Sequence, residues 1–136
     1  MSCTAAVVSR TYVLTDAAPG ATGFLTAADL TALGTEGVIT NIKARLDNTD
    51  NAAEAIALYI ADADLTSEPD GLKTVFRDEV VGLEPSATEV SYDVDIEKYY
   101  SVASAGDLKV GANVLAIDAS GNAITIYLTI TARLLK

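Results

Sequence analysis

The chain has 136 residues, of which half are hydrophobic, and it carries a formal net charge of −10 at pH 7. This length predicts one domain, spanning residues 1–136, that can bury enough apolar surface to fold without a disulfide or a metal. Because an acidic surface repels phosphate backbones and anionic lipids, we expect no nucleic-acid partner and no membrane partner.

Alternation of apolar and polar residues predicts β-strands along most of the chain. In chain order, the alternating or β-rich runs are 6–14, 38–46, 54–61, 74–81, 89–96, 98–103, 108–110, 114–118 and 124–134. The last run alternates almost without fault, so it predicts a long strand with one buried and one solvent-facing side. In the run 74–81, Asp78 shares a face with apolar residues, which is typical of a strand at the edge of a sheet.

Two of these runs carry further local signals. In 38–46, strict alternation places Val38 on the same face as the core-forming Ile42, and Ile39 on the opposite, polar face. Gly111 separates the runs 108–110 and 114–118, so it predicts a bulge or a tight bend between two short strands.

Residues 26–33 are the segment predicted to be helical, with Thr26 as a candidate N-cap and Gly34 as the end. About eight short strands and no long helix predict an all-β fold, a two-sheet antiparallel sandwich with this one short helix. A jelly-roll-like topology is favoured because eight strands and this chain length fit it, and an immunoglobulin-like sandwich is the alternative.

The residue types that carry most enzyme chemistry are scarce in this chain. The sequence contains no His, no Trp and a single Cys, Cys3. A Ser or Thr nucleophile therefore has no His to activate it, a zinc site lacks its usual ligands, and no disulfide can form within the chain. We expect no catalytic residues, no enzyme activity and no cofactor.

Calcium is the one metal ion for which the sequence offers candidate ligands. Four carboxylates follow the run 54–61 closely: Asp62, Asp64, Glu68 and Asp70. Carboxylates on a loop are the ligands that a hard cation prefers, although their spacing does not match an EF-hand. The alternative is an acidic turn in contact with solvent.

Candidate contact residues lie on the solvent-facing side of the predicted strands. Tyr127 stands among Thr125, Thr129 and Thr131 in the last run, and one amphipathic ring among hydroxyl groups is a usable interface. Further candidates are Ile39, on the polar side of its run, and Val7 and Val8, in an N-terminal segment that could extend onto a neighbouring subunit. The alternative for the threonines is that they simply favour strands.

The first residues lack a basic region followed by a long apolar stretch, so we expect no signal peptide and synthesis in the cytoplasm of a host cell. With its alternating last strand and the turn at Gly121 and Asn122, the chain resembles the small β-sandwich cement, or decoration, proteins on the heads of tailed bacteriophages. The resemblance implies a homo-oligomer, often a trimer, on the surface of the virion capsid. It implies binding between subunits of the major capsid protein, which would stabilise the assembled head.

A carbohydrate-binding or adhesion module is the alternative function. Sandwich folds often serve this purpose, and residues 111–117 resemble a strand of sugar-binding jelly rolls. The absence of Trp for stacking against sugar rings weakens this alternative.

Overall fold

The computed structural model describes residues 6–15, 22–47, 53–81, 89–117 and 125–135. It contains one 3₁₀ turn, η1 (Thr31–Leu33), and the strands β1 (Val7–Thr15), β2 (Gly23–Phe24), β3 (Ala28–Asp29), β4 (Glu36–Asp47), β5 (Ala53–Ala61), β6 (Thr74–Val81), β7 (Glu89–Ser101), β8 (Lys109–Ile117) and β9 (Thr125–Leu134). Within these ranges no helix has the length and apolar character needed to cross a membrane.

The strands form two antiparallel sheets that pack face to face. The first sheet has the strand order β1-β9-β4-β7, and the second has the order β2-β8-β5-β6, with β3 also pairing with β8. Because β2 and β3 occupy one interrupted position, each sheet has four strand positions. This order is that of a jelly roll, which confirms the predicted fold class and topology over the immunoglobulin-like alternative.

Strand β9 shows how the alternating pattern builds the core. Its even-numbered side chains are fully buried between the sheets, namely Ile126, Leu128, Ile130 and Ala132. Its odd-numbered side chains from Thr125 to Thr131 are half-buried on the opposite face. The second sheet contributes the facing part of the core, including Ile56, Leu58, Ile60, Val110, Ala112 and Val114. Burying each large apolar side chain contributes about 1.5–3 kcal/mol.

A smaller core covers the outer face of the second sheet. Leu65, from the segment after β5, is buried together with Ala57, Tyr59 and Ala61. A Cβ atom at Gly111 would lie 2.8 Å from Leu65 Cδ1, so the glycine permits Leu65 to approach the sheet. The predicted break at Gly111 is therefore wrong, and β8 continues through it. The register of β5 and β8 instead shifts at two later places, where Glu54 and Leu115 are passed over.

The predicted helix is largely replaced by strand pairing. Thr26 forms a bridge with Thr15 instead of capping a helix, and Ala28 and Asp29 pair with β8. Lys109 Nζ also donates a hydrogen bond of 2.6 Å to Asp29 Oδ1. A helix this short is barely stable by itself. Pairing with β8 is therefore the more stable arrangement for this segment. The runs predicted as 89–96 and 98–103 form one strand, β7.

Charged side chains on the inner faces mark two edge strands. The edge position predicted from Asp78 is confirmed, because β6 is the last strand of the second sheet. Tyr92 Oη, from β7 of the other sheet, donates a hydrogen bond of 2.5 Å to Asp78 Oδ2. Arg10, on the edge strand β1, pairs with the buried Ile130 and so lies on the inner face. Inward charges at edges oppose pairing with strands of other chains.

Two core tyrosines provide a matched test of hydroxyl pairing. Tyr100 Oη donates a hydrogen bond of 2.5 Å to the carbonyl oxygen of Leu33. Tyr12 Oη is buried, and none of the described residues offers it a partner. Tyr12→Phe should therefore leave the free energy of unfolding unchanged or raise it by about 1 kcal/mol, whereas Tyr100→Phe should lower it by about 1 kcal/mol. Urea unfolding of both variants measures this, and equal losses would contradict the difference in pairing.

Buried tyrosines also predict a loss of stability at alkaline pH. Burial raises the pKa of Tyr100 to about 12, and burial raises the pKa of Tyr12 as well. The neutral phenols are therefore favoured in the folded state, so their contribution is complete below about pH 10, and that of Tyr100 is lost as the pH rises toward about 12. Urea unfolding at about pH 9 and about pH 11 should show this loss, and Tyr100→Phe should reduce it. A stability that stays constant across this window would contradict the prediction.

Candidate functional site

The outward side of the first sheet, here called the outer face, holds most of the predicted contact residues. Side chains that are opposite one another on neighbouring strands form rows across it. In order along the strands, the rows contain Thr15 and Thr125; then Val13, Tyr127 and Arg45; then Thr11, Thr129, Lys43 and Asp93; then Ser9, Thr131, Asn41 and Asp95; and then Val7, Arg133, Val38 and Tyr99.

Hydroxyl groups on β1 and β9 bond to each other across the outer face. The hydroxyl oxygens of Ser9 and Thr131 are 3.0 Å apart, and those of Thr11 and Thr129 are 3.3 Å apart. The structure therefore brings together the predicted contact residues of β9 with two hydroxyls of β1. Cross-strand pairs of this kind stabilise a sheet, and their remaining lone pairs can accept hydrogen bonds from a partner.

A polar groove crosses the sheet beside these hydroxyls. Asn41 Nδ2 lies 2.9 Å from Asp93 Oδ1, 2.9 Å from Asp95 Oδ1 and 3.2 Å from the carbonyl oxygen of Val94, and it donates to this group of acceptors. The groove has a volume of about 580 Å³ and is lined by Ser9, Asn41, Lys43, Asp93, Asp95, Thr129 and Thr131. The amide thus holds two carboxylates in fixed positions at the groove wall.

Tyr127 lies at one end of the groove under a cation. The guanidinium carbon of Arg45 is 4.5 Å from the centroid of the Tyr127 ring. This cation–π contact orders both side chains and covers the exposed face of the ring. Tyr127 and Arg45 together line a depression of about 320 Å³ next to Lys43.

Exposed large apolar side chains lie on the outer face and also elsewhere, since Leu115 is exposed on β8 of the second sheet. Among the described residues, Val7 (67 %), Val13 (47 %) and Tyr99 (57 %) are exposed on the outer face, and Leu135 (49 %) continues this face beyond β9. Leu72, which is 96 % exposed, lines a depression together with Tyr99 beside the β7 edge. Val7 and Val13 lie on the edge strand β1 and Tyr99 lies on the opposite edge strand β7, so these side chains do not form one contiguous apolar patch.

Ile39 is not on the outer face, so its predicted contact role is wrong. Its side chain is fully buried, because the register of β4 shifts between Ile39 and Asn41 against both neighbouring strands. Thr40 is an extra residue in the pairing of β4 with β9, and it turns Ile39 into the core and Val38 outward.

The two predicted valines of the N-terminal segment differ in position. Both belong to β1, where they pair with Arg133 and Ala132, so neither extends away from this chain. Val7 is exposed on the outer face, whereas Val8 packs against the core. Residues 1–5, which include Cys3, lie outside the described ranges.

The carboxylates considered as calcium ligands are not brought together. Glu68 Oε1 accepts a hydrogen bond of 3.3 Å from Tyr59 Oη, and Asp70 Oδ1 accepts one of 3.0 Å from the Leu72 amide. No three His, Cys, Asp or Glu side chains converge to hold a metal ion anywhere in the described part of the chain. The predicted group comprised Asp62, Asp64, Glu68 and Asp70.

Several features of the outer face were not evident in the sequence. The contact of Asn41 with two carboxylates and the stacking of Arg45 on Tyr127 join residues of different strands. Each contact requires one particular register between β4 and its neighbouring strands, and no local sequence signal specifies that register. The alternation of apolar and polar residues indicated only that these side chains face outward.

No family model matches this chain, and no curated protein matches it. Solved structures of virus particles do. A chain from the cyanophage Pam1 capsid asymmetric unit is 12% identical and has a TM-score of 0.51, over 98% of this chain and 89% of that one. Tomato aspermy virus matches at 12% identity and a TM-score of 0.47, over 100% and 82%. Black queen cell virus matches at 13% and 0.49, over 96% and 70%. The match with the Pam1 chain shows that the fold of this chain also occurs in a protein of that capsid.

Proposed function

We propose that this protein is a structural component of a virus particle, which acts by contact and catalyses no reaction. The observation that carries this proposal is the match with the cyanophage Pam1 capsid chain, which extends over 98% of this chain and 89% of that one. The two chains are therefore of nearly the same length, and the jelly roll makes up almost all of both. A fold alone does not determine a function, so the surface must supply further support.

The outer face supports a role in contact more than one in catalysis. Its carboxylates are held by the amide of Asn41, and its hydroxyls are paired across β1 and β9. Fixed polar groups next to exposed apolar groups are typical of protein–protein interfaces. The chain has no His to act as a general base near neutral pH.

More specifically, we propose a decoration, or cement, protein on the virion surface that binds between subunits of the major capsid protein. A protein that binds the assembled shell and not the free subunits stabilises the shell by mass action. The small single sandwich is suited to this role because it can be added to a finished shell as a folded unit.

Particles from the virus that encodes this chain provide the test. Particles that lack the protein should bind it when it is added in purified form, should sediment with it, and should then withstand higher temperatures before they open. Bovine serum albumin added in the same way controls for trapping in the pellet. Failure of the purified protein to sediment with such particles would overturn the proposal.

Carbohydrate binding remains the second candidate, because the groove presents an amide, two carboxylates and several hydroxyls to solvent. Such groups can bond to sugar hydroxyls, although Arg45 covers the ring of Tyr127. A glycan array, probed with and without calcium, would identify this function by reproducible binding that Asn41→Ala abolishes.

A further inference from the structure

We infer that the free edge of β7 is a docking site for an extended segment of a partner protein, which adds to the first sheet as a fifth strand. The segment that fits this edge has basic side chains at alternate positions and apolar side chains between them. The inference goes beyond the proposed function because it states what the partner contributes. It does not depend on the partner being a capsid subunit.

Strand β7 forms one edge of the first sheet and leaves a long stretch of backbone without a neighbour. It extends over 13 residues, Glu89–Ser101, and in the described part of the chain β4 is the only strand of its sheet that pairs with it. From Glu89 to Asp95 this pairing is regular, without a shift of register. In an antiparallel pair every second residue directs its N–H and C=O groups away from the partner. These groups of β7 can therefore pair with the backbone of an added strand.

The inner face of β7 is covered from one side only. Tyr92, Val94 and Ile96 are half-buried and pack against the main core. Ile42 and Ala44, which pair with Val94 and Tyr92, are 1 % and 4 % exposed. The difference arises because β4 has a strand on each side, whereas β7 has one neighbour. Apolar side chains of an added strand would cover the flank that β7 leaves open.

The other two long edge strands are less suited to strand addition. Arg10 on β1 and Asp78 on β6 lie on the inner faces of their strands, where a charge opposes an added strand with an apolar side. The inner side chains of β7 between residues 92 and 96 carry no charge. This uncharged stretch ends at Lys98, which pairs with the buried Ile39 and so lies on the inner face.

The outward side chains of the same stretch select the charge of the partner. Asp93 and Asp95 both accept hydrogen bonds of 2.9 Å from Asn41 Nδ2. This amide is neutral, so it offsets neither negative charge. On the side of β7 that is already paired, Lys43 of β4 is opposite Asp93. A basic side chain on the added strand would take the equivalent position on the free side, since opposite charges on neighbouring strands stabilise a sheet.

The same carboxylates disfavour pairing between two copies of β7. An antiparallel pair centred on Val94 would place Asp93 of one copy directly opposite Asp95 of the other. Like charges in this position destabilise a sheet. The edge therefore discriminates against a second β7 and in favour of a basic strand.

Synthetic peptides with blocked ends provide the probe. The first peptide has four Lys-Val repeats and so matches the proposed pattern. The second has Glu in place of each Lys, which reverses its charge. The third has the side chains of the first, but a methyl group on every backbone nitrogen removes its donors to β7.

Titration of the ¹⁵N-labelled protein, followed by two-dimensional NMR, measures the affinity and locates the site. We expect the first peptide to bind with a Kd below about 1 mM, and the second and third peptides to bind at least tenfold more weakly. The largest shifts should fall on amides of β7, and the first peptide should slow hydrogen exchange at every second one of them. Equal affinity of any two of the peptides, no binding at about 1 mM, or shifts confined to other strands would overturn the inference.

A pair of variants with the same change of net charge tests the selection by charge. Asp93→Asn with Asp95→Asn removes two charges from β7, and Asp64→Asn with Glu68→Gln removes two from the exposed segment after β5. The first variant should bind the basic peptide roughly tenfold more weakly, and the second should bind it like the unmodified chain. Circular dichroism checks the fold of both. Equal losses in the two variants would mean that the peptide responds only to the net charge of the chain, which contradicts a site on β7.

The outcomes separate this inference from the proposed function. A protein that binds the basic peptide along β7 but does not bind virus particles would support the inference and overturn the proposed function. A protein that binds particles and ignores the peptide would support the proposed function and overturn the inference.

Discussion

Replacing Gly37 with alanine is expected to lower the free energy of unfolding by about 3 kcal/mol, which corresponds to a fall in Tm of about 10 °C. Gly37 is buried in β4, where it pairs with Leu134 on β9 and Tyr100 on β7. A Cβ atom there would lie 2.7 Å from the carbonyl oxygen of Arg133 and 2.8 Å from Tyr100 Cζ, and it would contact Tyr100 Oη as well. The carbonyl cannot move without disturbing the pairing of β4 and β9.

The ring of Tyr100 is also unable to move freely, because its hydroxyl bonds to the carbonyl oxygen of Leu33. Tyr100→Phe removes one of the obstructing atoms, so Gly37→Ala should cost less in that background. Gly71→Ala is the matched control, since no atom lies within 4 Å of the Cβ position there, and we expect a change within about 0.5 kcal/mol. Thermal unfolding followed by circular dichroism measures all of these variants. Equal effects at Gly37 and Gly71 would show that the obstruction is not real.

The fold could be predicted from the sequence wherever one face of a strand is buried along its whole length. Strand β9 is the clearest case, because the side chains of residues 126–132 alternate between the core and the outer face as their hydropathy predicts. Asp78 likewise indicated the edge position of β6 correctly, since a carboxylate on an inner face requires solvent or a partner such as Tyr92. These features depend on residues close together in the sequence.

Features that depend on contacts between distant segments could not be predicted. The cap and stop signals at Thr26 and Gly34 are local, but pairing of Ala28 and Asp29 with β8 overrides them. Gly111 looked like a break because glycine is rare inside strands, whereas it makes room for Leu65, which precedes it by many residues. In both places a tertiary contact decided between local alternatives.

The candidate site was predicted in part, for the same reason. Thr129 and Thr131 were expected to form a contact surface with Tyr127, and their hydroxyl partners lie on β1, which is far away in the sequence. The cover that Arg45 provides for Tyr127 changes what the ring can bind, and only the pairing of β4 with β9 brings the two together.

The bulge in β4 leads to the second large effect. Uninterrupted alternation along 38–46 would bury Val38 and expose Ile39, but Thr40, which is an extra residue in the pairing of β4 with β9, reverses both. Ile39 is fully buried in the main core, and Val38 is half-buried on the outer face. Ile39→Ala should therefore lower the free energy of unfolding by about 3 kcal/mol, because it removes buried methyl groups and leaves a cavity.

Val38→Ala is the matched control, because the residue is adjacent in the strand and loses similar atoms. It should cost less than about 1 kcal/mol, since its side chain is only partly removed from water. Urea unfolding of both variants provides the measurement, and the denaturant dependence of the unfolding free energy should stay unchanged if the folded and unfolded states are otherwise the same. A larger loss at Val38 than at Ile39 would mean that β4 alternates without interruption. The outer face would then present Ile39 in place of Val38, and the rows that bring Val7 and Arg133 together with Tyr99 would have to be redrawn.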